Sequence, residues 1–317
     1  MLQLDAHEVA ARLGRVPLID ALDRAFRAEV HAPERRHYAV GGSPDSKDTL
    51  LIMPAWQTGG LIGVKLVTVF PGNTAHARPA VHASYTVFDA ANGVPVAVLD
   101  GTELTRRRTA AASALAARYL ARPDASRLLM VGTGALAPHL IESHAAVRPI
   151  ESVRVWGRRI HRARDIAQGF AGRMDVEAVD DLEAAVRWAD IISCATLAGT
   201  PLVHGAWLKP GQHLDLVGAF TSAMREADDD ALLRANIHVD TRAGALAESG
   251  ELLHAIASGA MTAANIRAEL RDLARGTVLG RRSPEEITLF KSVGSAIEDL
   301  AAAELALRGA GPQRPAI

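Results

Sequence analysis

Leu128-Leu129-Met130-Val131-Gly132-Thr133-Gly134-Ala135-Leu136-Ala137 is the stretch whose reading decides the fold. A short apolar run suited to a buried strand breaks at Gly132 into a G-x-G-x-x-A turn, and a helical pattern follows. In that strand–turn–helix context each small residue has a reason. Gly132 permits the tight turn, Gly134 lets the backbone approach a pyrophosphate, and Ala137 keeps the helix against the sheet. Ala135 and Leu136 open the helix, where unsatisfied N–H groups and the positive end of the dipole face an anion. The competing reading is a glycine-rich βα turn with no ligand.

Downstream, strands are expected at 127–131, 152–156, 174–179, 190–195, 213–218 and 237–240, with helices between most of them, as at 160–170 and 181–188. Alternation at this spacing predicts an α/β chain with a Rossmann-type doubly wound parallel sheet. Upstream the pattern changes. Residues 7–30 are helical in pattern, with Val9, Leu13, Val16, Ile19, Leu22 and Phe26 on one side. Short β-rich runs at 50–53, 61–70, 83–89 and 94–99 follow, punctuated by Gly59-Gly60, Pro71-Gly72-Asn73 and the hairpin signal Asn92-Gly93. A helix over 103–121, Ala-rich from Thr109 to Leu120, and another over 293–307 bracket the α/β part. The expected organisation is a dinucleotide domain over 121–292, inserted into a discontinuous α+β domain of 1–120 and 293–317.

The end of the second Rossmann strand bears on the cofactor. NAD-binding proteins usually place a carboxylate there for the ribose 2′-hydroxyl. Here the strand ends Val155-Trp156-Gly157-Arg158-Arg159. Arg158 and Arg159 suit a 2′-phosphate, which favours NADP(H) over NAD(H); the plainer alternative is a solvated basic turn.

Two cations before the loop stand out. Lys65 sits in Gly63-Val64-Lys65-Leu66-Val67-Thr68-Val69-Phe70, a run otherwise fit for a buried strand. A buried ammonium needs an anion, and a substrate carboxylate would serve; an edge-strand lysine is the alternative. Of Arg106, Arg107 and Arg108, only Arg108 leads into the apolar face of the following helix, so it is expected to point inward and the others to be solvated. By pattern alone, Arg35 and Arg36 are surface residues.

Other chemistries find little support. The chain has 317 residues, 49% hydrophobic and 22% charged, with formal net charge −1. It therefore has no general attraction for nucleic acid or anionic membranes. Its single cysteine, Cys194, allows no intrachain disulfide or Cys-cluster metal site, and reads as inert core in a cytoplasmic protein. The N-terminus lacks a signal-peptide pattern, and no run is long enough to span a membrane. No internal repeat is found, and 309–315 reads as a disordered tail. None of the twelve histidines shows ligand spacing within a helix; His76 and His82 read as surface or supporting residues. Ser222 and Ser292 lack an obvious histidine partner for a hydrolase. Glu226 and Asp228-Asp229-Asp230 read as a charged helix start.

Together these motifs resemble the ornithine cyclodeaminase/μ-crystallin family over nearly the whole chain. The resemblance runs through Gly63-Val64-Lys65, Leu99-Asp100-Gly101-Thr102, Arg108-Thr109-Ala110-Ala111 and the Gly132 loop. It continues in Ala195-Thr196, Trp207-Leu208-Lys209-Pro210-Gly211, Val217-Gly218-Ala219, Phe290-Lys291-Ser292-Val293-Gly294 and Glu298-Asp299-Leu300. It implies a homodimer formed through the first domain's sheet, and a small amino or imino acid substrate. It implies Lys65, Arg35 and Arg108 around the substrate carboxylate, with Phe220 and Val293 beside the substrate. Cofactor contacts are implied for Ser84, Arg108, Thr109, Gly132, Gly134, Ala135, Leu136, Gly157, Arg158, Arg159, Thr196, Val217, Gly218, Ala219 and Ser292. One departure matters. The family's cyclodeaminases carry Gly-Gly-Asp after the valine, the Asp serving as acid/base, whereas this chain reads Val217-Gly218-Ala219-Phe220. A phenyl ring handles no proton. The expected activity is therefore hydride transfer to or from a C=N carbon, as in a ketimine reductase or amino acid dehydrogenase. Ornithine cyclodeamination to proline and ammonia is one alternative; an NADPH-dependent small-ligand binding protein, with Phe220 and Trp56 against an apolar ligand, is another.

Overall fold

The computed structural model describes residues 1–41, 48–76 and 78–308; the expected tail at 309–315 lies outside the described residues. The chain divides into two compact units, one made of Met1–Arg108 with the segment from Ser295 onward, the other of Thr109–Gly294.

The first unit is built on a six-stranded sheet. Its strands are β1 (Leu2–Leu4), β2 (Arg36–Ala39), β3 (Thr49–Trp56), β4 (Leu61–Val69), β5 (Val81–Asp89) and β6 (Pro95–Asp100), in the order β1-β6-β5-β4-β3-β2. All pairings are antiparallel except β1 with β6. β1 and β2 have no counterpart in the sequence reading: β1 is three residues long, and β2 is exposed throughout, so neither shows alternation. The helical pattern at 7–30 is two helices, α1 (Ala6–Arg12) and α2 (Arg15–Arg27). They part at Gly14, which caps α2 in extended conformation. Val9, Leu18, Ile19, Leu22 and Phe26 are buried, whereas Val16 is 46% exposed. The helix Ala296–Leu307 lies against α2, β3 and β4, with Ala296 and Leu300 packed on Met53 and Ala55.

Helix α3 (Gly101–Leu120) begins earlier than the Ala-rich pattern, because the Asp100 carboxylate accepts the Glu103 N–H at 2.7 Å. Gly101 is required there: a Cβ would press on the Ala83–Ser84 backbone at 2.8 Å.

The second unit is an eight-stranded, wholly parallel sheet. Its strands are β7 (Arg127–Val131), β8 (Ser152–Trp156), β9 (Asp175–Val179), β10 (Ile191–Cys194), β11 (His213–Leu216), β12 (Asn236–Val239), β13 (Ile266–Glu269) and β14 (Thr288–Lys291). Their order is β13-β12-β14-β11-β10-β7-β8-β9. The strand order reverses between β7 and β10, the switch point at which open α/β sheets bind ligands beyond the strands' carboxyl ends. β13 and β14 escaped the sequence reading, being four residues each with polar members. Leu128, Leu129, Met130 and Val131 are buried, the continuous apolar pattern of a strand covered on both faces.

Candidate functional site

In the first unit, Lys65 is on β4, flanked by β3 and β5, so it is not an edge residue. It is 1% exposed. Its anion is Asp299, whose carboxylate oxygens lie 2.8 and 2.7 Å from Nζ. Arg108 is also buried; its Nη1 meets Glu298 Oε2 at 2.6 Å and its Nε meets Asp299 Oδ1 at 2.8 Å. Asp299 thus bridges the two cations. The sequence motif Glu298-Asp299 was visible, but its role as counter-charge was not; the available signal was a pair of acids inside an Ala-rich, otherwise apolar helix.

Burial pushes the Lys65 ammonium down to about 8, with the Arg108 charge acting the same way and Asp299 opposing both. The Asp299 carboxyl is held low, despite burial, by Arg108 and Lys65. Arg35, half-buried rather than on the open surface, adds to both effects, so its charge belongs to this group. Lys65 and Arg108 thus share the Asp299 carboxylate, within the field of Arg35. Tyr85 pairs with Lys65 across the sheet and is fully buried; a Cβ at Gly63 would overlap its hydroxyl, which is why the residue two before Lys65 is glycine.

Of the other arginines, Arg106 is 40% exposed at its side chain. Arg107 corrects the expectation of solvation: it is held by Glu103 at 2.6 Å and by the Leu13 carbonyl at 3.1 Å. Ser84 is half-buried on β5, and Trp56 stacks on His31 with ring centroids 5.5 Å apart.

In the second unit, the remaining candidates follow one another along the carboxyl edge of the sheet. Gly157 follows β8, Gly132 β7, Thr196 β10, Val217-Gly218-Ala219 β11, and Ser292 and Val293 β14. Thr109 opens this unit, next in sequence to Arg108. Gly132 has φ +123°, and a Cβ there would stand 2.5 Å from the Ala195 carbonyl oxygen, so the turn demands glycine. A Cβ at Gly134 would meet nothing within 4 Å. Helix α4 (Ala137–Ala145) starts after Leu136 with no side-chain cap. Open space beside an uncapped helix start fits a pyrophosphate. Arg158 and Arg159 are exposed and make no ion pair among the described residues. Phe220 is 40% exposed and Val293 buried.

Glu226 corrects the sequence reading. It is fully buried, not part of a polar helix start; the helix Asp229–Arg234 is capped by Asp228 instead. Glu226 Oε1 accepts from the Thr196 N–H (2.6 Å) and hydroxyl (2.8 Å), and Oε2 from the N–H groups of Gly218 (2.7 Å) and Ala219 (3.3 Å). Burial raises its carboxyl to about 7, against the opposing Lys291 charge. Likewise, Asp240 accepts from the N–H groups of Val293 (2.8 Å) and Gly294 (2.6 Å) and fixes the turn after β14. His76 and His82 are exposed, and Cys194 is buried with its thiol pushed up by burial. Among the described residues no group of three His, Cys, Asp or Glu could hold a metal ion, and no helix is long and apolar enough to cross a membrane.

Comparison with known proteins finds relatives over nearly the whole chain. The ornithine cyclodeaminase/mu-crystallin family matches residues 2–308. Delta(1)-pyrroline-2-carboxylate reductase of Paracoccus denitrificans is 45% identical over 289 residues, covering 90% of this chain and 91% of that protein. Ketimine reductase mu-crystallin of Rattus norvegicus is 37% identical over 258 residues, covering 80% and 78%. The structure of Thermococcus litoralis Delta(1)-pyrroline-2-carboxylate reductase in complex with NADH and L-proline superposes with TM-score 0.92 at 32% identity, covering 97% of each chain.

Proposed function

The chain belongs to the ornithine cyclodeaminase/mu-crystallin family, and from that premise we propose that it is an NAD(P)-dependent reductase of the C=N bond in a cyclic imino acid of the pyrroline-2-carboxylate type. The observation that carries this reading is the buried pair of cations Lys65 and Arg108 held on Asp299 and Glu298, with the half-buried Arg35 near enough for its charge to act on Lys65 and Asp299.

A nicotinamide held along the carboxyl edge of the parallel sheet would supply the hydride that the imine carbon takes up. Everything else falls to the chain. Lys65, Arg108 and Arg35 hold the carboxylate and draw electron density from the adjacent C=N. Lys65 Nζ, lowered to about 8, or a water beside it, provides the proton the ring nitrogen needs. Gly134 and the start of α4 receive the pyrophosphate, and Thr196, Val217-Gly218-Ala219 and Ser292 receive the nicotinamide half. Ser84 and Thr109 serve as further cofactor contacts. Arg158 and Arg159, exposed and without a carboxylate partner among the described residues, suit a 2′-phosphate and favour NADPH. Phe220 and Val293 shape the substrate side; Phe220 carries no proton, which disfavours cyclodeamination of ornithine.

The second copy in a homodimer would cover the sheet face opposite Lys65, where Leu66 is 39% exposed. The single buried thiol suits a reducing cytoplasm. The test is oxidation of NADPH across a panel of cyclic imino acids by the wild type and Lys65→Ala. Turnover by the first and not the second is expected; no turnover with any imino acid would overturn the reading. Ligand binding retained in Lys65→Ala would favour a binding protein instead.

A further inference from the structure

We propose that Glu226 is a positioning residue: its carboxylate staples the turn after β10 to the turn after β11 and thereby shapes the surface that receives the nicotinamide half of the cofactor. The inference rests on the dinucleotide reading above and deepens it.

The residue is anchored independently of the turns it holds. Its carbonyl accepts the Leu202 and Val203 N–H groups at 2.9 Å, and its N–H donates to Glu251 Oε1 at 2.9 Å. From that fixed backbone the two carboxylate oxygens divide the work, Oε1 taking Thr196 and Oε2 taking Gly218 and Ala219. The two turns lie back to back, since a Cβ on Gly218 would overlap the Thr196 backbone. Residues next to the stapled positions, Leu197 and Phe220, are 70% and 40% exposed, so the staple also fixes the spacing of an apolar pair at the sheet's carboxyl edge.

Four donors converge on this one side chain, three of them backbone N–H groups that cannot reverse. Only an ionised carboxylate satisfies all four. A proton on Oε2 would face two N–H groups; a proton on Oε1 is tolerated if the Thr196 hydroxyl turns to accept it. Protonation therefore loosens the Thr196 turn and spares the Gly218 turn. Glu251 and Lys291, 3.3 Å apart and both buried, and the Cys194 thiol are the other titratable groups facing this point. The Glu251 charge favours protonation of Glu226 and the Lys291 charge opposes it.

Two variants test this. Glu226→Gln presents an amide to donors on one side. Glu226→Asp keeps the charge but is one methylene too short to span both turns. Cofactor affinity is read by fluorescence titration from pH 5.5 to 8.5 with NADH, which has no 2′-phosphate to titrate in that range, and the amides of 195–199 and 217–220 by hydrogen exchange. We expect wild-type affinity to fall as pH drops through about 7, with exchange rising first at 195–199. The Gln variant should bind about tenfold more weakly, one charge-assisted hydrogen bond's worth, without that pH dependence. The Asp variant should also bind more weakly but keep a pH dependence. Wild-type binding and exchange that do not change near pH 7 would overturn the proposal even if both variants fail to fold. So would a folded Gln variant that binds like wild type. Wild type that binds no nicotinamide cofactor at any pH would instead sink the dinucleotide reading.

Discussion

At the scale of single residues, charge decides most of the outcome. In the proposed function Lys65 holds the substrate carboxylate as an ammonium, and its charge is lost as pH rises through about 8. The kcat/KM profile should therefore fall above pH 8, and Lys65→Arg, permanently charged, should lose that limb. Asp299 opposes the fall in the Lys65 pKa, so Asp299→Asn should move the limb to lower pH. It should also cost about 3–5 kcal/mol of stability in urea melts, since it leaves Lys65 and Arg108 short of a buried counter-charge. Arg158→Ala with Arg159→Ala should remove a preference for NADPH while leaving NADH binding nearly unchanged, as paired titrations would show. Lys65 was legible in the sequence because a charge inside an apolar strand needs a reason. Its partner, 234 residues away on another element, was not, because only the fold brings them together. Glu226 was misread for a related cause: beside three aspartates it looks solvated, and nothing local reveals the turns it holds.

At the scale of elements, two glycines separate folding from binding. Gly132 has φ +123° and a carbonyl at 2.5 Å from any Cβ. Gly132→Ala should cost about 3 kcal/mol of stability and abolish cofactor binding together. Gly134 faces open space, so Gly134→Ala should change stability by no more than about 0.5 kcal/mol while still weakening NADPH binding, because the methyl occupies the approach to the pyrophosphate. Thermal melts with and without cofactor compare the two. The strand–turn–helix around these glycines could be read directly, since it is continuous in sequence and carries its own periodicity. Elements without a pattern could not: exposed β2 and the short β1, β13 and β14 exist through pairing with neighbours rather than through their own residues. The helical pattern at 7–30 did not reveal the break at Gly14, where the chain leaves helical conformation.

At the scale of the whole molecule, the proposed function divides the work between two units, the buried cations in one and the carboxyl edge of the parallel sheet in the other. Cofactor at a hundredfold over its Kd should stabilise the protein by about 2.7 kcal/mol, and scanning calorimetry with NADPH measures it. The central claim is that a hydride reaches the imine carbon. The direct measurement uses NADPH carrying deuterium at both nicotinamide C4 positions with Δ1-pyrroline-2-carboxylate, followed by mass spectrometry of the product. The account predicts proline carrying one deuterium at its α-carbon, formed in step with cofactor oxidation. Unlabelled proline, or proline and ammonia released from ornithine without net cofactor oxidation, would contradict it.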